Sequence, residues 1–70
     1  MNNAAVQEWL RVRRELLASE AAFTDFAIKV ANGEASGEEL RERRLILEGL
    51  RDLCTNAYNT AFPGQQTPKV

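Results

Sequence analysis

Histidine is absent from this 70-residue chain, and cysteine occurs once, at Cys54. Without histidine the commonest general base is missing, a conventional zinc site has too few soft ligands, and the Glu-x-x-His pairs of di-metal helical bundles cannot form. A single thiol excludes an intrachain disulfide and fits a reducing compartment. Proline is confined to Pro63 and Pro68, and no glycine or proline interrupts the run from Asn3 to Ala31. Charge of one sign is lacking too. Nine basic against ten acidic residues give a net charge of −1, which removes any whole-chain attraction to nucleic acid or acidic membranes. No apolar run approaches the ~20 residues a membrane span needs. The stretch from Met1 to Glu8 also lacks the basic-then-apolar pattern of a secretory leader. The expectation is a cytoplasmic protein with no membrane partner, no metal and no cofactor.

What is present is amphipathic. Hydrophobic residues make up 44% and charged residues 27%, far from the composition of a disordered chain, so folding is expected. Trp9, Leu16, Phe23 and Val30 recur every seven residues, with Val12, Ser19 and Phe26 interleaved. This is the stripe of one long helix packed along most of its length. Leu40, Leu47, Cys54 and Ala61 repeat in the same way, with Arg43, Leu50 and Ala57 between them. Between the stripes lies Ala31-Asn32-Gly33-Glu34-Ala35-Ser36, where Gly33 suits a left-handed helix end. Ser36 and Glu39 form the S-x-x-E of a reciprocal capping box. The fold class is all-α: helix 1 over about 3–32, a turn at 33–35, helix 2 over about 36–62, and a flexible tail at 63–70.

Folding the helices back about the turn pairs Val30 with Leu40, Phe23 with Leu47, Leu16 with Cys54 and Trp9 with Ala61. The residue numbers of each pair sum to 70. Two stripes read independently meet in one register, which supports an antiparallel hairpin. One seam between two helices buries little surface, and apolar residues remain beside it. Leu10, Leu17, Ile46 and Leu53 are therefore candidates for a dimer interface, in which two hairpins form a four-helix bundle. Ala18, Ala21, Ala22 and Gly49 either permit close helix approach across the dimer or are good helix filler plus one tolerated glycine.

No arrangement of nucleophile and base emerges. Ser19 faces the seam without an activating partner, and Glu38 and Glu39 occupy the first turn of helix 2, where acids favour the helix dipole. Cys54 falls on the core stripe, where a thiol acts as a small hydrophobe. The expected function is a non-enzymatic protein–protein interaction module, an adaptor, regulator or chaperone-like homodimer with a further protein partner. Ile28 and Leu45 face outward at nearly the same level, and with Arg41 and Arg44 they are the candidate partner-binding residues. The alternative is a nucleic-acid binder. Arg11, Arg13 and Arg14 form one cluster and Arg41, Arg43 and Arg44 another, and in an antiparallel dimer the two would merge into composite patches. Against it, Arg11 and Glu15, Glu39 and Arg43, and Arg44 and Glu48 all have the i,i+4 spacing of a solvated, ion-paired face. Arg43, on the seam stripe level with Phe26, has two readings: its guanidinium lies over that ring, or it is a polar residue that fixes register or partner choice.

Overall fold

The computed structural model describes residues 3–65. Helix α1 runs Asn3–Ala31 and helix α2 runs Gly37–Ala61, packed against each other, and a 3-10 turn Pro63–Gln65 follows. Both helices end within a residue of the expected bounds. At ~1.5 Å per residue, α1 is about 43 Å long, and its unbroken course follows from 29 residues without a glycine or proline.

The turn is built as its residues require. Gly33 is at φ +76°, and no other described residue has a positive φ. Its N–H donates to the Val30 carbonyl at 3.0 Å, while the Glu34 N–H donates to the Lys29 carbonyl at 2.8 Å. These two bonds are the Schellman closure, and they satisfy carbonyls that a helix end leaves orphaned. Ser36 then caps α2 in an extended conformation. Its Oγ accepts from the Glu38 N–H at 3.1 Å and the Glu39 N–H at 3.3 Å. The expected return bond of the capping box gives way to another partner. The Glu39 carboxylate turns along the helix and accepts from Arg43 Nη2 at 3.4 Å, because an i,i+4 guanidinium offers a charged donor.

Register along the seam agrees with the count outward from the turn. Val12, Leu47 and Ala61 are buried, and Trp9, Leu16, Phe23, Leu40, Leu50 and Cys54 are half-buried. Cross-helix contacts fix the level: Arg43 stands over Phe26, Arg51 meets Glu20, and Trp9 meets Tyr58 and Phe62. Two helices make one layer, so the seam has two open flanks. Each residue advances about 100° around a helix, which puts Glu20 and Ala22 on opposite sides of the Leu16–Phe23 stripe. Glu20 shares its flank with Arg51, whereas Ala22 shares a groove with Ile46. The first is here the aromatic flank and the second the groove flank.

At the open end, Trp9 holds the helices together. Its ring lies 5.6 Å from Tyr58 and 5.4 Å from Phe62, both edge to face, and the Arg13 guanidinium stands 5.8 Å above it. Phe62 reaches this cluster because α2 stops there. Its N–H closes the last turn onto the Tyr58 carbonyl at 2.9 Å, and Pro63 cannot extend the ladder. Of the expected tail, 63–65 form the 3-10 turn, while 66–70 lie outside the described residues.

Candidate interaction surfaces

The apolar side chains left uncovered are the most unusual feature of the hairpin. Leu17 is 53% exposed, Ile28 55%, Leu45 64%, Ile46 64% and Leu53 49%. One such residue alone would need no explanation, since isolated exposed apolar residues are common, but their positions on the helix faces decide whether any of them form a surface.

Ile46 and Leu53 lie on the groove flank, seven residues apart on α2 and separated by Gly49. Facing them across the seam on the same flank, α1 presents Ala18 and Ala22. Between the helices runs a groove of about 100 Å³ lined by Ser19, Ala22, Phe23, Arg43 and Ile46. Small residues on one helix and protruding branched ones on the other give this flank a stepped profile. Ser19 is half-buried at its floor.

Leu10 and Leu17 are placed differently. From Glu20, Leu17 is a further ~60° around α1 away from the seam, on the aromatic-flank side, so it does not share a surface with Ile46. Leu10 is half-buried and lies on the same outer side of α1 as Leu17. The four candidate interface residues therefore divide into two pairs on different faces. Ile28 and Leu45 are outward, as expected, but each points straight away from the seam. They occupy opposite outer edges of the layer, about two helix diameters (~20 Å) apart, and do not form one patch. Leu45 keeps Arg41 and Arg44 beside it on α2; Ile28 has neither.

Most of the arginines are engaged. Arg11 donates Nε to Glu8 at 3.1 Å and Nη1 to Glu15 at 2.8 Å, and its Nη2 also contacts Glu8. Hydrogen bonding to Arg11 holds the Glu8 carboxyl below its ordinary pKa and lifts Arg11 above its own. Arg43 is shared between Glu39 and the Phe26 ring, whose centroid is 4.3 Å from its guanidinium carbon. Arg44 pairs with Glu48 at 3.3 Å, and Arg51 with Glu20 at 3.1 Å. Arg13 stacks on Trp9. Of the six arginines in the two clusters, Arg14 and Arg41 alone show no ion pair or ring contact among the described residues. The clusters stay at different heights within one hairpin.

Cys54 is a free, half-buried thiol on the seam. Among the described residues no group of three or more His, Cys, Asp or Glu is placed to hold a metal ion, and no helix is long and apolar enough to cross a membrane. Comparison of the chain with family models, with curated proteins and with solved structures finds no match.

Proposed function

We propose that this chain is a non-enzymatic protein–protein interaction module of the adaptor, regulator or chaperone-like kind, and that it works as a homodimer in which two hairpins form a four-helix bundle. The observation that carries the reading is the uncovered apolar surface. Among the described residues three hydrophobic side chains are buried while five large ones are about half or more exposed, and that is apolar surface a second layer would cover. Dimerisation covers one flank of each hairpin. The outer edges, Ile28 on α1 and Leu45 with Arg41 and Arg44 on α2, stay open to a further protein.

Nucleic-acid binding through composite arginine patches has less support, because four of the six cluster arginines already neutralise a carboxylate or cover a ring. It also requires a dimer that brings the Arg11–Arg14 segment of one chain against the Arg41–Arg44 segment of the other.

The mass of the native protein at micromolar concentration, by sedimentation equilibrium or light scattering, tests the dimer. Twice the 7.9 kDa chain mass is expected. A folded, stable 7.9 kDa species would refute it.

A further inference from the structure

Resting on the homodimer reading, we infer that the second copy docks on the groove flank with the two turns at the same end of the bundle, so that α1 of each chain lies over α2 of its partner. Shape and charge each lead there independently.

Two face-to-face arrangements of identical hairpins are possible on this flank. With the turns together, α1 covers the partner's α2 and levels along the hairpin are preserved. With the turns at opposite ends, α1 covers the partner's α1 and levels are inverted about the middle of the flank. Levels follow from the register, in which residues whose numbers sum to about 70 stand side by side.

Turns together, Ile46 and Leu53 of each chain stand over Ala22 and Ala18 of the other, and Ile46 faces the mouth of the groove beside Ser19 and Phe23. Large side chains meet small ones, as close-packed layers require. Turns opposed, Ile46 would meet Leu53 and Ala18 would meet Ala22. Large would stack on large and small on small, leaving one helix pair propped apart and the other loosely filled.

The charges discriminate in the same sense. Lys29 and Glu42 lie on the groove flank at one level near the turn, are exposed, and have no ion-pair partner among the described residues. Turns together, Lys29 of each chain meets Glu42 of the other, a reciprocal pair of bridges, while Arg11 and Glu15 face the neutral Thr60 and Asn56. Turns opposed, Arg11 would face Lys29, and Glu15 would face Asp25. Like charges across an interface are strongly disfavoured.

The arrangement also bears on the arginines. At ~1.5 Å per residue, turns together keep the Arg11–Arg14 and Arg41–Arg44 segments about 20 Å apart in height, so the composite patches do not form. Turns opposed would bring them level.

Pulsed electron spin resonance on a single label reads the arrangement directly. Asn32→Cys in a Cys54→Ser background puts one label at each turn, with helical content and mass checked against the parent. A separation on the order of 20 Å, set by stacked helices, is expected. A dimer with labels on the order of 40 Å apart overturns the same-end arrangement and leaves the homodimer standing; a monomer by mass removes both. Face is tested by Ile46→Glu, which leaves the exposed site compatible with a folded hairpin and should raise the dimer Kd at least about a hundredfold. Leu17→Glu should leave the Kd within a few-fold. The reverse result would move the interface to the other flank. Lys29→Glu should weaken the dimer several-fold and the double variant Lys29→Glu, Glu42→Lys should restore it; a double variant as weak as the single would refute the pairing.

Discussion

Replacing Gly33 by alanine isolates the backbone requirement on which the hairpin turns. Gly33 sits at φ +76°, and a Cβ built there meets nothing within 4 Å. The added methyl therefore neither clashes nor packs. What remains is the left-handed conformation itself, which costs an L-residue ~1–2 kcal/mol. Part is offset, by ~0.4–1 kcal/mol, because alanine has less freedom than glycine to lose on folding. The net loss is about 1 kcal/mol per chain, a fall in Tm of ~4–8 °C for a domain of this size. Asparagine enters the left-handed region more readily, so Gly33→Asn should lose about half as much. Circular-dichroism melts at one fixed chain concentration measure both. If Gly33→Ala melted with the parent, or Gly33→Asn lost more than Gly33→Ala, the left-handed closure at Gly33 would not be what sets the turn.

Three further expectations follow from the ends and edges of the hairpin. Ser36→Ala removes the acceptor for the Glu38 and Glu39 N–H groups and should cost ~1 kcal/mol, with amide hydrogen exchange rising first in the opening turn of α2. Trp9→Ala removes two ring contacts and a half-buried side chain at the open end, an expected loss of ~2–3 kcal/mol by urea denaturation, whereas Trp9→Phe should keep more than half of it. The Glu8 carboxyl, lowered by Arg11, contributes to folding at pH values above the ordinary carboxylate range, and that contribution is lost as pH falls through its lowered pKa. Carboxyl-carbon NMR should show Glu8 titrating below its ordinary value in the parent and returning toward it in Arg11→Ala.

Much of this fold is legible before any coordinates. Trp9, Leu16, Phe23 and Val30 at seven-residue steps, Gly33, and the Ser36 cap together specify two helices, their join and their register. The same count puts Arg43 level with Phe26, and the ring contact is one of the two roles that level allows. Contacts that depend on which side of a helix a residue takes are harder to read, because heptad spacing ranks residues by distance from the seam and does not separate left from right. So Leu17 and Ile46, both beside the seam, stand on different flanks, and Ile28 and Leu45, both level and outward, end on opposite edges. The Trp9 cluster was hidden for another reason. Ala61 is level with Trp9, but an alanine cannot reach far, and the rings that fill the space come from Tyr58 and from Phe62 at the C-cap. The spacing of Glu39 from Ser36 suits the cap, yet its spacing from Arg43 suits an ion pair as well, and the charged partner takes it.

The dependence of Tm on protein concentration tests most directly whether the hairpin needs a second copy. A folded dimer is stabilised by mass action, so Tm should climb steadily as the chain is taken from about one to a hundred micromolar. A Tm unchanged across that range, with the same helical content throughout, would mean that one layer is stable alone and that its uncovered leucines and isoleucines serve something other than self-association.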